Sequence, residues 1–245
     1  MSAPAAGPLR RAAGWGVHLL TASSAPAGLL AVLAIWRGDA PTAFLWMAYT
    51  LVVDSIDGTL ARAVGVKQVI PTFDGTKLDD IVDYFTYAVV PALFLAHMDV
   101  VPRGTAVPLA SGVVLASAYG FSQTAAKTPD HYFTGFPSYW NILVFYLYAL
   151  QWPRTLNAAI VLLLIVGVFV PMRYIYPSRM HVLRGFTIAF GVVWGITVLY
   201  MLAHLNGTPR SLLVASLLFP AYYVGLSIVL HLRDAARSRS VAAAR

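Results

Sequence analysis

Six aspartates, at positions 54, 57, 74, 79, 80 and 83, fall within the single stretch DSIDGTLARAVGVKQVIPTFDGTKLDDIVD, in a chain whose ten acidic residues include no glutamate. Asp54 and Asp57 are three residues apart and Asp79 and Asp83 are four apart. On helices each pair therefore lies on one face. Gly75 lies one turn earlier on the second of those faces. Residues 63–74 contain Gly65 and Pro71 and read as the connection between two antiparallel helices. The two carboxylate pairs can then meet across one helix–helix interface. Carboxylates facing each other at membrane depth repel and resist desolvation. A divalent cation removes both problems, and oxygen donors in a chain without cysteine suit a hard ion, Mg²⁺ or Mn²⁺. Four carboxylates are enough for two such ions bridging a phosphate-containing substrate. Asp74 and Asp80 fall off the shared face and read as a loop residue and a solvated helix-start residue.

Gly58 and Ala61 continue the face of Asp54 and Asp57, and their small side chains leave room for a flat or bulky group against the backbone. Arg62 follows at the helix end and can donate a forked pair of hydrogen bonds to a phosphate. The local chemistry is that of metal ions, a diphosphate and space for a base.

These residues must be positioned by membrane helices. The chain is 59% hydrophobic and only 11% charged, with a mean hydropathy of +0.71, where a soluble domain carries about 25% charged residues. Eight apolar runs are long enough to be expected as spans: 15–36, 41–62, 79–98, 106–125, 138–152, 156–173, 184–204 and 211–232. They are too long and too uniformly apolar for barrel strands, so the expected fold is all-α, a polytopic transmembrane helical bundle. The expected organisation is a cytoplasmic segment 1–14, a membrane-embedded catalytic domain 15–232 and a basic cytoplasmic tail 233–245. With a cytoplasmic N-terminus, every Lys and Arg except Arg37, Arg103, Arg154 and Arg210 falls on the same side. This asymmetry places both termini and the aspartate-rich stretch in the cytoplasm. The net charge is +7, but the basic residues sit between apolar runs instead of forming one face, which argues against a nucleic-acid partner. The absence of cysteine excludes disulfides, a thiol nucleophile and thiolate metal sites.

The pattern Asp54-x2-Asp57-Gly58-x2-Ala61-Arg62, followed by Gly75-x3-Asp79-x3-Asp83, resembles the signature of CDP-alcohol phosphatidyltransferases. Twelve residues separate Arg62 from Gly75, more than in most members. That spacing is similar to bacterial phosphatidylcholine synthases, as are VHLLTASSAPAGLLA at 17–31 and FTGFPSYWNILVFYLY at 133–148. The resemblance implies a dimeric six-helix core, here with two added helices, in the bacterial cytoplasmic membrane. It implies transfer of a phosphatidyl group from CDP-diacylglycerol to choline with release of CMP. By position, Asp54, Asp57 and Asp79 resemble the metal ligands. Asp83 resembles the catalytic base and can also reach a metal. Gly58, Ala61, Arg62 and Gly75 resemble the CDP-contacting set.

The quaternary ammonium of choline cannot donate an N–H hydrogen bond, and aromatic faces are the usual way to hold such a cation. Tyr84, Tyr87, Tyr139, Trp140 and Tyr176 lie near predicted cytoplasmic helix ends and are candidates, although an interfacial aromatic belt also accounts for such residues. His18 and Thr21 occupy the place on the first helix where relatives carry polar residues lining the nucleotide. Interhelical hydrogen bonding is the alternative for both. Arg173 and Arg179 are candidates for substrate phosphate, against a simple topological role. Competing readings are another acceptor on the same scaffold (inositol, serine or glycerol phosphate), an intramembrane prenyltransferase, or an ion path. Prenyltransferase motifs lie on widely separated helices and lack the Gly58-x2-Ala61-Arg62 continuation. An ion path would spread its carboxylates across the membrane depth.

Overall fold

The computed structural model describes residues 7–123, 132–177, 180 and 182–243. Arg179 lies outside the described residues.

The chain is a helical bundle. Helices α1 (Pro8–Ala22) and α2 (Ser24–Trp36) form an almost continuous rod with a turn at Ser23. Asp39 then caps α3 (Ala40–Val64) by accepting a hydrogen bond from the Thr42 amide at 3.1 Å. The buried residues Ala27, Gly28, Ala31 and Ala34 keep α2 slim where it packs between α3 and the later helices, and a Cβ at Gly28 would lie 2.6 Å from the Phe85 ring. At the other end of α3, Gly65 adopts the left-handed conformation at φ 72° and ψ 43°, which ends the helix at no steric cost. A single turn, α4 (Val66–Val69), follows. Asp74, expected as a loop residue, caps α5 (Gly75–Asp83) by accepting from the Lys77 amide at 3.1 Å.

The expected straight helix over 79–98 is interrupted. Between α5 and α6 (Val90–His97) the chain widens into a π-helical turn over Tyr84–Val89. Pro91 explains the interruption: it has no N–H, and its ring clashes with the carbonyl four residues back, that of Tyr87. After α7 (Arg103–Ser122) come α8 (Trp140–Ala149), α9 (Arg154–Phe169), α10 (Arg184–Ala203), α11 (Arg210–Ser216) and α12 (Leu218–Ala243). Two short strands, β1 (Tyr132–Thr134) and β2 (Arg173–Ile175), pair antiparallel, with Phe133 opposite Tyr174. These two three-residue strands, separated in sequence by α8 and α9, are a small addition to an otherwise all-α bundle.

The main core gathers Phe44, Phe94, Leu95, Trp140, Val144 and Leu147, with Phe44 and Phe94 at 4.8 Å between ring centres. Large apolar side chains on α9 and α10, among them Leu163, Val193 and Ile196, point outward as lipid-facing residues do. Among the described residues, four stretches are long and apolar enough to cross a membrane: Pro8–Trp36, Arg103–Ser122, Arg184–Ala203 and Arg210–Asp234. The other expected spans are helical but less clear-cut. α3 carries Asp54, Asp57 and Arg62, and α8 and α9 have only 10 and 16 residues.

Candidate active site

The structure joins three of the four aspartates whose spacing puts them on facing helix sides. Asp54 and Asp57 project from α3 and Asp79 from α5, and each offers a carboxylate oxygen within 4.8 Å of the other two. Asp83 lies one turn beyond Asp79, half-buried, outside this trio. Asp80 is exposed, as expected. The reversal through Gly65, α4 and the Asp74 cap sets α5 beside α3.

Two hydroxyls hold the trio from behind. Thr21, on α1, donates to Asp57 Oδ2 at 2.7 Å in a buried setting. Tyr87, in the π-helical turn, donates to Asp54 Oδ2 at 2.7 Å. Tyr87 was expected as a choline contact, and the structure instead gives its hydroxyl to a carboxylate. π-turns of this kind recur at functional sites because they re-aim a side chain. Outer hydrogen bonds that fix ligand carboxylates typically change metal affinity 10- to 100-fold when removed. Tyr87→Phe is therefore expected to raise the Mn²⁺ concentration for half-maximal activity by about 30-fold, with the rate at saturating metal much less affected. A metal titration checks this.

His18 sits one turn before Thr21, buried, with its ring against Phe73 at 4.6 Å and Trp15 at 5.8 Å. Its Nε2 is buried without a hydrogen-bond partner. Gly75 makes room for this imidazole, because a Cβ there would lie 2.5 Å from its Cε1. The spacing of Gly75 in the motif thus has a packing cause as well as the nucleotide role that the resemblance implies. On α3, Ala61 is half-buried and Gly58 faces only the Arg62 guanidinium, at 3.3 Å from where a Cβ would stand. Arg62 is exposed and donates to Thr59 Oγ1 at 3.0 Å.

The other aromatic candidates separate into two groups. Trp140 is 0% exposed and donates from Nε1 to Ser117 Oγ at 2.8 Å, so its ring has no face open to a cation. Tyr84 donates to the Val114 carbonyl at 3.2 Å and packs edge-on against Phe121, tying the π-turn to α7. In this structure both side chains are engaged in contacts within the bundle. Tyr139, by contrast, precedes α8 and is only half-buried. Its ring meets that of Tyr223, on α12, at 5.9 Å. Tyr223 stacks on Tyr174 at 6.2 Å, and Tyr176 packs on Phe133 at 4.7 Å. Nothing in the sequence ties Tyr223, on the last helix, to Tyr139 and Tyr174.

Arg173 is in β2, not at a helix end. Its guanidinium is 3.1 Å from Asp234 and 4.7 Å from the centre of the Tyr132 ring. Tyr223, Ser227, His231 and Asp234, along one side of α12, each bond to Arg173 or Ile175 and so strap β2 to the helix.

No protein-family profile matches the chain. Curated relatives do. A phosphatidylcholine synthase of Legionella pneumophila is 38% identical over 222 residues, 88% of this chain and 87% of the relative. The chain belongs to the phosphatidylcholine synthase family. A second member, from Pseudomonas aeruginosa, is 36% identical over 90% of this chain and 93% of its own length. A third, from Borreliella burgdorferi, is 37% identical over 73% of this chain. Each match covers most of both chains, so the similarity extends well beyond the aspartate motif.

Proposed function

We propose that the chain transfers the phosphatidyl group of CDP-diacylglycerol to choline, giving phosphatidylcholine and CMP, at the Asp54–Asp57–Asp79 cluster. The observation that carries this reading is that cluster, formed in a membrane protein whose relatives across most of the chain are phosphatidylcholine synthases. The donors fit a hard divalent ion. Two oxygens at about 2.1 Å from one Mg²⁺ stand at most about 4.2 Å apart, so small side-chain rotations close the observed spacing. Asp54, Asp57 and Asp79 would hold the ion, Mg²⁺ or Mn²⁺, and Asp83 is placed to help hold a second. When bound, such ions neutralise the diphosphate and the departing phosphate oxygen.

The chain's own groups do the rest. Asp83 accepts the proton of the choline hydroxyl as its oxygen bonds to the lipid-linked phosphorus. The phosphorus–oxygen bond to the CMP phosphate breaks, and CMP leaves. The Arg62 guanidinium, held near Gly58, is placed to meet a diphosphate oxygen. Choline carries no group for a cationic side chain, and the half-buried Tyr139 and Tyr176 are the candidates to offer it a ring face. Tyr139→Leu is expected to raise the KM for choline about tenfold with little change in the KM for the lipid donor, as initial-rate kinetics would show. Eight crossings with both termini cytoplasmic, built as a six-helix core plus two helices, belong to the same reading. The basic-residue asymmetry supports them, and the family resemblance supports a homodimer.

The test is made in cells. A bacterium that lacks phosphatidylcholine is given the gene and fed deuterated choline. Labelled phosphatidylcholine in its lipids supports the proposal, and its absence from cells that hold the folded protein refutes it.

A further inference from the structure

A groove of about 230 Å³ runs between α3 and α10 with α8 as its floor. Its lining is almost wholly apolar, with Phe44, Leu51, Ile142 and Val198 among the contributors. One end is at Ser55, next to Asp54 along α3, so the groove ends at the same height on α3 as the carboxylate cluster, although none of the three aspartates lines it. From Ser55 to Phe44, α3 covers about 16 Å at 1.5 Å per residue. That is close to half of the roughly 30 Å hydrocarbon thickness of a bilayer, the depth one acyl chain occupies. Two glycines stand on the α10 wall. A Cβ at Gly191 would meet the Phe219 ring at 3.2 Å, so that glycine serves packing against α12. A Cβ at Gly195 would meet nothing within 4 Å. Gly195 therefore keeps the middle of the groove open without being required by any protein neighbour.

We propose that this groove holds one acyl chain of the CDP-diacylglycerol donor and that Gly195 on α10 sets how long or bulky that chain can be. The proposal rests on the donor assigned above. It gives α10 a part in donor selection: a chain seated between α3 and α10 fixes the glycerol end beside Asp54, so the diphosphate arrives at the aspartates already oriented. The apolar lining supplies affinity through methylene burial. A side chain at position 195 would project into that space.

The test uses the full chain in mixed micelles with saturating choline and Mn²⁺. The KM is measured for CDP-dioleoylglycerol and for CDP-dihexanoylglycerol, whose chains are too short to reach Gly195. The variants are Gly195→Ala and Gly195→Leu, with Val193→Leu, on the lipid-facing side of α10, as the control. The expected result is a graded rise in the long-chain KM, about tenfold for Gly195→Leu. The short-chain KM and the choline KM stay within about twofold of wild type, and Val193→Leu resembles wild type throughout. An unchanged long-chain KM would mean that ordinary bilayer lipid fills the groove, and the proposal fails. Equal losses with both donors would mean that Gly195 acts through helix packing, which also overturns it. So would a changed oligomeric state of Gly195→Leu by light scattering, since a second copy would then be the occupant. Wild-type protein that releases no CMP in response to choline defeats the functional reading itself, a result distinct from an active wild type with an indifferent Gly195→Leu.

Discussion

Asp83→Asn is expected to lower choline-dependent CMP release by about a thousandfold while Mn²⁺ binding at the Asp54–Asp57–Asp79 trio persists, since a positioned base contributes roughly 10²- to 10⁴-fold. Asparagine keeps the shape of aspartate and its acceptor oxygen but cannot take the hydroxyl proton. The structure makes the two readouts separable. The trio that comes within 4.8 Å is Asp54, Asp57 and Asp79, and Asp83 stands one turn away on the same helix. The variant should bind CDP-diacylglycerol with a KM near that of wild type, since no donor contact is assigned to Asp83. A rate within about tenfold of wild type would move the base elsewhere. A variant that also loses the metal would make Asp83 a ligand first.

The second large effect is on the metal itself. Asp57→Asn is expected to abolish activity and the thermal stabilisation that Mn²⁺ gives the wild type. A ligand at 100 times its Kd stabilises the folded state by about 2.7 kcal/mol, and removing one of three clustered carboxylates should erase most of that. Without metal the sign reverses. Three like charges this close repel when no cation sits among them, so the metal-free variant should melt no lower than metal-free wild type, provided the Asn side chain still accepts from Thr21. A melt with and without Mn²⁺ reads both effects. Thermal shifts that are equal in wild type and variant would mean that the ion binds elsewhere.

Much of the site could be read in the sequence because its spacings are local. Asp54 and Asp57 share a face whatever else the chain does, and the Gly65 and Pro71 connection is short enough to bring the α5 carboxylate back onto them. Positions of the long helices follow from apolar length alone. What stayed hidden depends on partners far away in the chain. Thr21 meets Asp57 across 36 residues, Tyr87 meets Asp54 across 33, and Arg173 meets Asp234 across 61. No periodicity encodes such pairs. The π-helical turn had a visible cause, since Pro91 sits inside an apolar run, but its consequence is a rotation of Tyr87 that a straight-helix reading cannot supply. Trp140 was ambiguous for a different reason. A tryptophan at a helix start near the membrane surface fits an interfacial belt, a cation site and a core equally well, and only the donor bond to Ser117 decides among them. Arg173 was placed at a helix end because the apolar run continues to it, whereas α9 stops at Phe169 and the chain turns into a strand.

The alcohol that the aspartate site accepts is the decisive property. The measurement is CMP release by the purified protein with CDP-diacylglycerol and Mn²⁺, comparing choline with inositol, serine and glycerol 3-phosphate. Release is expected with choline alone and is expected to be lost in Asp83→Asn. Release driven by one of the other alcohols, or by none of the four from folded protein that binds the metal, would contradict the proposed function.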